Sequence, residues 1–183
     1  MRLVLLDRDG VLNQDSSNYV KNPGELHMIP GSARAVARLN GAGIKIAICT
    51  NQSAVGRGII DEAMLERIHQ KLREELAREG GHVDAIFLCP DPPWAATRRR
   101  KPGPGMLEEA LRRFSANPAE TPMIGDNRID LEAAAALGCP RHLVRTGHGA
   151  KVQAEGIPPA LLPVRVHDDL AAAVTALLGP ESP

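Results

Sequence analysis

The chain has 183 residues, which is the usual size of one compact domain. Lys and Arg number 22, as do Asp and Glu, while hydrophobic residues make up 43% and charged residues 24%. This ordinary globular composition excludes a disordered tail protein, a coiled coil and a collagen-like chain. A formal net charge of zero argues against broad nucleic-acid binding. With one Trp, one Tyr and two Phe, the core must be aliphatic, and base-stacking platforms are not expected.

The cysteines and the N-terminus indicate the compartment. Cys49, Cys89 and Cys139 are odd in number and widely spaced, so a disulfide framework is not expected and a reduced cytoplasmic location fits better. The first apolar run has only four residues, Leu3–Leu6, and is followed by the acid Asp7. This run is too short for a signal peptide. No apolar run approaches the ~20 residues that a membrane helix needs, so no membrane association is expected.

Short apolar runs alternate with longer amphipathic stretches along the chain. Strands are predicted at residues 3–6, 44–49, 85–88, 122–124, 143–144 and 164–166. Helices are predicted at residues 32–40, 62–79, 106–114, 131–137 and 170–178. Ser32 and Asp61 are the expected N-caps of the first two helices, and residues 90–105 are expected to form a loop.

Strands that alternate with helices predict an α/β fold in three layers, a mainly parallel sheet with helices on both faces. We expect one domain over residues 1–179 and a flexible tail at residues 180–183. Ligands bind at the carboxyl ends of the strands in such sheets, so the residues just after each strand are the candidates for chemistry.

Two carboxylates follow the first predicted strand in the run Asp7-Arg8-Asp9-Gly10. In extended backbone, residues i and i+2 point to the same side about 6.6 Å apart, since the rise is ~3.3 Å per residue. Such a pair can flank a small reacting group and suits Mg²⁺, a cation that prefers oxygen ligands. The alternative is a plain turn in which both carboxylates cap local amides, and this motif alone does not decide between them.

Polar groups also follow the second strand, in Thr50-Asn51-Gln52-Ser53. They can form a neutral nest for phosphate oxygens, although this motif alone favours a simple N-cap and turn. In Arg100-Lys101-Pro102 the proline favours an extended backbone at Lys101, whose ammonium group would then counter phosphoryl charge. The alternative is a solvated basic loop.

The fourth candidate is Asp126, which directly follows a short predicted strand. It can supply a further oxygen ligand for Mg²⁺, with Asp130 as an acceptor behind it. The alternative is helix capping by Asp126, with Asp130 placed favourably by the helix dipole. Each signal is weak by itself, but an Asp pair, a Thr, a Lys and an Asp in this order favour a joint function.

This set of motifs resembles the haloacid dehalogenase (HAD)-like phosphohydrolases over essentially the whole chain. Asp7 to Asn13, Thr50 to Ser53 with Gly56-Arg57-Gly58, and Arg100-Lys101-Pro102 are similar to the branch that contains heptose bisphosphate phosphatases and histidinol-phosphate phosphatases. The resemblance implies a Rossmann-like sheet without a large cap domain. It also implies a Mg²⁺-dependent phosphomonoester hydrolase of a small phosphosugar, with D-glycero-D-manno-heptose 1,7-bisphosphate losing its 7-phosphate as the leading expectation. Such an enzyme serves lipopolysaccharide core precursor biosynthesis.

The resemblance also implies roles for individual residues. Asp7 is the nucleophile that forms an aspartyl-phosphate, and Asp9 is the general acid and base. Mg²⁺ is held by the Asp7 carboxylate, the Asp9 backbone carbonyl and the Asp126 carboxylate. Phosphate and substrate contacts are expected from the following polar and basic residues: Thr50, Asn51, Gln52, Arg57, Arg100 and Lys101.

One departure concerns a structural zinc loop that this branch often carries. Of its ligand positions only Cys89 is retained, while Asp91, Thr97 and Arg99 stand at the others. A single thiolate cannot form a closed tetrahedral site, so no structural zinc is expected. The roles of Asp130 and Asn127 stay open, because many relatives carry a basic residue where Asn127 stands.

Other functions remain possible at this point. Within the same class, the substrate can be histidinol phosphate or another small phosphomonoester. A different class is a phospho-acceptor switch, which also gathers Asp, Thr and Lys on a parallel sheet but keeps its aspartyl-phosphate long-lived. The expected partner is a small phosphorylated metabolite, bound by a monomer or weak oligomer. The six histidines are scattered and are interpreted as surface or structural residues, and the turn at Thr146 to Gly149 receives no role.

Overall fold

The computed structural model describes residues 1–180 and has a parallel sheet at its centre. The sheet has six strands in the order β3-β2-β1-β4-β5-β6, and every neighbouring pair is parallel. The strands are β1 (Leu3–Leu6), β2 (Lys45–Asn51), β3 (Ala85–Cys89), β4 (Met123–Gly125), β5 (Arg141–Val144) and β6 (Val164–His167). The α/β class and the parallel sheet predicted from the alternating pattern are confirmed.

Helices cover both faces of this sheet. They are α1 (Ser32–Gly41), α2 (Ser53–Gly56), α3 (Glu62–Arg78), α4 (Gly105–Arg113), α5 (Arg128–Ala135), α6 (Gly149–Glu155) and α7 (Leu170–Leu178). Val4 and Leu6 of β1 pack in the cluster that holds the buried faces of α1, α3 and α7. Leu3 and Leu5 point to the other face and pack with α4 and α5. Because side chains alternate along a strand, one short apolar run supports both layers.

The strand order explains where a site can form. The chain goes from β1 to β2 on one side and later places β4 on the other side of β1. Leu6, the last residue of β1, is paired with Ile124 of β4, so the residues that follow these two strands emerge together. This is the point of an open parallel sheet where ligands bind.

No large cap interrupts the described residues. Segment 7–31 contains one 3₁₀ turn, Pro23–Glu25, and segment 90–104 contains another, Pro93–Ala95. None of the helices in residues 1–180 has the length and apolar character needed to cross a membrane. Of the predicted tail, residues 181–183 lie outside the described part of the chain.

Several predicted boundaries were wrong. Ser32 was expected to cap α1, but the cap is Gly31, and the Ser32 hydroxyl donates to the Leu12 carbonyl at 2.7 Å. Helix α5 starts three residues before the predicted position 131, because Asn127 and Asp130 form a capping box. Asn127, not Asp126, is therefore the cap. The short helices α2 and α6 were missed, since their small-residue sequences carry no clear apolar period. Asp61 does cap α3 as predicted, accepting from the Met64 amide at 2.7 Å.

Candidate active site

The carboxylates of three aspartates meet at the carboxyl edge of β1 and β4. Oxygen atoms of Asp7, Asp126 and Asp130 all lie within 4.8 Å of one another. The ammonium group of Lys101 lies 2.9 Å from Asp7 Oδ1 and 2.6 Å from Asp130 Oδ1. Lys101 is only 1% exposed, so its amine faces this cluster and not bulk solvent. The joint placement that the separate motifs predicted is therefore what the fold produces.

The charges in this cluster perturb one another. Burial raises the pKa of Asp7 to about 7. The negative charges of Asp130 and Asp9 also raise it, while the positive charge of Lys101 lowers it. Burial, together with the Asp7 and Asp130 carboxylates, raises the pKa of Asp126 to about 8. Burial alone would lower the pKa of Lys101, but the Asp130 and Asp7 carboxylates raise it above its ordinary value. The three acids outnumber the one amine, which leaves the cluster short of positive charge.

Asp9 lies in a different environment on the same loop. Its carboxylate accepts hydrogen bonds from Arg8 Nη2 at 2.8 and 2.9 Å, from Asn13 Nδ2 at 2.8 Å and from Gln52 Nε2 at 2.8 Å. Burial would raise the pKa of Asp9, but the Arg8 guanidinium and these hydrogen bonds lower it below its ordinary value. Two carboxylates two residues apart therefore have opposite pKa shifts.

The donor set fits a hard cation such as Mg²⁺. Asp7 Oδ1 is buried and accepts no hydrogen bond of good geometry, even with the Lys101 amine at 2.9 Å. Both Asp130 oxygens are engaged, one by Lys101 Nζ and one by the Asn127 amide at 3.0 Å. Asp126 Oδ2 accepts from the His148 amide at 2.7 Å. The available ligands are thus on Asp7 and Asp126, while Asp130 supports Lys101 from behind.

Two glycines allow the backbone to pack directly on Asp126. A Cβ built on Gly10 would lie 2.2 Å from Asp126 Oδ2, and one built on Gly147 would lie 2.1 Å from the same atom. Gly10 also has a φ of +79°. Only glycine combines this conformation with so close an approach.

Thr50 and Asn51, which were predicted to follow the second strand, are the last two residues of β2, and Gln52 comes directly after them. Their contacts near the cluster differ. Thr50 is buried and its hydroxyl accepts from Gln52 Nε2 at 2.9 Å. The Asn51 side chain bonds both the amide and the carbonyl of Lys101, each at 3.0 Å. In this structure Asn51 therefore fixes the backbone that carries the lysine, and Gln52 joins Thr50 to Asp9.

A cavity of about 190 Å³ opens in front of the cluster. Arg100 and Gln52 line it together with Asp7, Asp9 and Lys101. Arg57 is not among the lining residues. Its guanidinium carbon lies instead 4.6 Å from the centre of the Trp94 ring and 6.0 Å from that of Tyr19.

Sequence reasoning missed several residues that shape the site. Arg8 is 1% exposed and holds Asp9, while its Nη1 lies 3.3 Å from His69 Nε2. His148, which received no role, borders the cavity, and its Nε2 lies 2.9 Å from Asp15 Oδ2. The sequence already places the turn at Thr146 to Gly149 after a predicted strand, at the edge where ligands bind, but no role was assigned to it.

The next question is whether residues at the expected zinc-loop positions form a cluster of metal ligands. Among residues 1–180, the only cluster of potential metal ligands is the one formed by Asp7, Asp126 and Asp130, and Cys89 is not part of it. The absence of structural zinc therefore stays a prediction for elemental analysis.

Comparison with known proteins identifies the chain's relatives. The HAD-hydrolase-like family profile matches residues 98–173. The D-glycero-beta-D-manno-heptose-1,7-bisphosphate 7-phosphatase of Bordetella bronchiseptica is 47% identical over 178 residues, covering 97% of this chain and 98% of that protein. The protein of the same name from Pseudomonas aeruginosa is 43% identical over 176 residues, covering 96% and 97%.

Solved structures agree with these relatives. The B. bronchiseptica D,D-heptose 1,7-bisphosphate phosphatase, complexed with magnesium and phosphate, is similar with a TM-score of 0.92 at 47% identity, covering 97% of this chain and 98% of that one. The D,D-heptose 1,7-bisphosphate phosphatase of Burkholderia thailandensis gives a TM-score of 0.76 at 41% identity, covering 98% and 100%. The chain therefore belongs to the HAD-like hydrolases and, within them, to the family of the D-glycero-D-manno-heptose-1,7-bisphosphate 7-phosphatases.

Proposed function

We propose that this protein is a Mg²⁺-dependent phosphatase that removes the 7-phosphate of D-glycero-D-manno-heptose 1,7-bisphosphate through an aspartyl-phosphate intermediate. The observation that carries the proposal is the meeting of Asp7, Asp126 and Lys101 at one edge of the sheet, with Asp9 two residues beyond Asp7. The substrate is proposed from the printed names of relatives that match this chain over nearly its whole length.

In the first half-reaction, Asp7 is the nucleophile. Its carboxylate oxygen forms a bond to phosphorus while the bond from phosphorus to the sugar oxygen breaks. Asp9 gives a proton to the departing alkoxide. The negative charge of the incoming phosphate favours a protonated Asp9, since a nearby like charge raises the pKa of an acid.

In the second half-reaction, a water attacks the aspartyl-phosphate. Asp9, now ionised, takes the proton of that water, the acyl phosphate bond breaks, and Asp7 is regenerated as inorganic phosphate forms. The Arg8, Asn13 and Gln52 contacts hold the Asp9 carboxylate in a fixed position and in its ionised form. These contacts suit Asp9 as the base of this half-reaction, whereas its protonation in the first half-reaction depends on the charge of the incoming phosphate.

Asp7, Asp126 and the Asp9 backbone carbonyl would hold Mg²⁺, which when bound offsets the repulsion between the Asp7 carboxylate and the phosphate dianion. The unsatisfied Asp7 Oδ1 supports this ligand set. Lys101, fixed between Asp7 and Asp130, counters the charge that spreads over the phosphoryl oxygens.

Thr50 and Asn51 are proposed to contact the phosphoryl oxygens, and Gln52, Arg57 and Arg100 to hold the rest of the substrate. Arg100 has the best support of these last three, since it lines the cavity and carries a full charge. Arg57 is proposed to act from the rim, because its guanidinium stacks on Trp94.

The proposal also covers surroundings and partners. The partner is a small phosphorylated sugar, the expected state is a monomer or weak oligomer, and the expected location is the cytoplasm. We also propose that the purified protein carries no structural zinc. Elemental analysis that finds one tightly held zinc per chain would contradict this.

Steady-state kinetics test the function. The wild-type protein should turn over a generic aryl phosphate with Mg²⁺, and the Asp7→Asn variant should not. A panel of phosphorylated sugars, with both heptose bisphosphate anomers and histidinol phosphate, should give the highest kcat/KM for a heptose bisphosphate. One stoichiometric phosphorylation without turnover would instead favour a phospho-acceptor switch, and a preference for histidinol phosphate would replace the substrate.

A further inference from the structure

The segment between β3 and α4 contains a turn that is closed by one carboxylate. Asp91 Oδ2 accepts from the Thr97 amide at 2.9 Å and from the Thr97 hydroxyl at 2.5 Å. These contacts join the two ends of residues 91–97, a stretch that contains only a short 3₁₀ turn of its own. Asp91 therefore supplies side-chain hydrogen bonds that order this turn.

The outer face of the turn is fixed on helix α2. A Cβ built on Gly56 would lie 2.3 Å from the Pro90 carbonyl oxygen and 2.9 Å from Pro92 Cδ, so the two backbones are in direct contact. The next residue, Arg57, places its guanidinium carbon 4.6 Å from the centre of the Trp94 ring. This is a cation–π distance. The stacked guanidinium holds the Trp94 ring, which is 71% exposed.

The turn leads into three consecutive arginines with different surroundings. Arg98 pairs with Glu108, and Arg99 Nε lies 2.9 Å from Glu109 Oε1, so both guanidinium groups are directed to helix α4. Arg100 Nη1 instead donates to the Asp91 carbonyl at 2.7 Å, and Arg100 lines the cavity beside Lys101. The Asp91 backbone thus holds the one arginine of the three that borders the cavity.

We propose that Asp91 is a positioning residue that, by closing the 91–97 turn, holds the Arg100 guanidinium where it contacts a second anionic group of the substrate. This rests on the proposed function, which supplies a sugar with two phosphates. A guanidinium presents paired donors that match a phosphate, and a fixed orientation reduces the ordering cost of binding. Asp91 and Arg100 therefore determine affinity for the bisphosphate and leave the chemical step to Asp7 and Asp9.

Kinetics of matched variants with two substrates test the proposal. In Asp91→Ala, Thr97→Val and Arg100→Gln, the KM for the bisphosphate should rise about tenfold, the loss expected for one charge-assisted contact. The kcat should stay within about twofold, since a contact made equally in the ground and transition states changes KM alone. Phenyl phosphate has no second anionic group, so its kcat/KM should be unchanged in Asp91→Ala and Thr97→Val. Thr97→Ser keeps the hydroxyl and Arg99→Gln removes a neighbouring guanidinium, and both should behave as the wild type.

The single tryptophan gives a readout that is independent of turnover. Trp94 belongs to the turn and its ring stacks on Arg57, so opening the turn should make the ring more mobile and lower its fluorescence anisotropy in Asp91→Ala and Thr97→Val relative to the wild type. Arg100→Gln should share the KM effect but keep the wild-type anisotropy, because it removes the contact without opening the turn.

The outcomes separate the two proposals. A bisphosphate KM that is unchanged in Asp91→Ala, an equal loss with both substrates, or an unaltered Trp94 anisotropy would overturn the role of Asp91. A wild-type enzyme that prefers no bisphosphorylated sugar over phenyl phosphate would contradict the proposed substrate and also overturn the Arg100 contact. A retained preference with an unchanged KM in Asp91→Ala contradicts the role of Asp91 alone.

Discussion

Lys101 Nζ donates to Asp130 Oδ1 at 2.6 Å, and both side chains are almost fully buried. Asp130 lies in the first turn of α5, where its other oxygen accepts from the Asn127 amide at 3.0 Å. One carboxylate therefore both caps a helix and fixes the amine that faces Asp7. Asp130 does not line the cavity, and both of its oxygens are engaged by Lys101 and the Asn127 amide, so we infer that it acts through Lys101.

The Asp130→Asn variant should lose both stability and activity. The amide carries no charge for the buried ammonium group, and its single oxygen cannot serve both Lys101 and Asn127. We expect the free energy of unfolding to fall by about 3–5 kcal/mol, as is typical when one partner of a buried ion pair is removed. Urea denaturation with Mg²⁺ present measures it. Asp168→Asn, in an exposed pair with Arg145, is the control and should leave the unfolding midpoint unchanged. Equal midpoints for the wild type and Asp130→Asn would contradict this account.

The Asp9→Asn variant should separate binding from turnover. Asparagine keeps the side-chain shape but cannot transfer the proton, so kcat should fall by roughly 10²–10⁴, the usual contribution of a general acid and base. Binding of Mg²⁺ and of inorganic phosphate, measured by calorimetry, should persist. Unchanged turnover would remove Asp9 from this role.

The fold was predictable from the sequence where apolar period and caps agreed. The run Leu3–Leu6 and the helix Leu170–Leu178 were placed correctly, because each is a dense apolar stretch with clear ends. The start of α5 was not predicted correctly. The apolar stretch begins only at Leu131, whereas a capping box between Asn127 and Asp130 starts the helix at Arg128. Short helices such as α6 depend on tertiary packing, which a local pattern does not contain.

The site was predictable in its charged residues but not in their support. Asp7 and Asp126 follow from their positions directly after strands, because parallel strand ends meet at one edge, and Lys101 follows from the Arg100-Lys101-Pro102 motif in the loop beyond β3. The contact of Asn51 with the Lys101 backbone joins residues 50 positions apart, and no local pattern shows it. The same is true of the stacking of Arg57 on Trp94.

The Gly10→Ala variant should weaken Mg²⁺ binding. The new methyl group would meet Asp126 Oδ2 at 2.2 Å, so the carboxylate must move away from its position near Asp7. Gly58 is a matched control, because its φ of +69° is equally unfavourable for alanine but nothing lies within 4 Å of the new Cβ. Both variants should lose about 1–2 kcal/mol of stability from the left-handed backbone. Only Gly10→Ala should in addition need at least about tenfold more Mg²⁺ for half-maximal activity. Similar Mg²⁺ requirements in the two variants would contradict the steric argument.

The stability of the protein should depend on pH in a way that Mg²⁺ reverses. The folded-state pKa values of Asp7 and Asp126 are raised to about 7 and about 8 from an ordinary value of 3.8. Stability from these groups is therefore complete below about pH 4 and is lost progressively from there up to about pH 7 for Asp7 and about pH 8 for Asp126, by up to ~1.4 kcal/mol per pH unit per group. Burial lowers the pKa of His69 and His142, so these groups cost stability as the pH falls. Their effect is opposite in sign to that of the aspartates and is confined to the range below about pH 6.5.

Melting temperatures between pH 6.5 and 8.5, with chelator and with Mg²⁺, measure this effect. With chelator the melting temperature should fall as the pH rises, because ionised Asp7 and Asp126 then repel each other in a buried site. Mg²⁺ binds only the ionised carboxylates, so the increase in melting temperature that it causes should be larger at pH 8.5 than at pH 6.5. Asp126→Asn removes one ligand and should abolish most of that increase at both pH values. An increase that is the same at both ends of the range in the wild type would show that these carboxylates do not hold the cation.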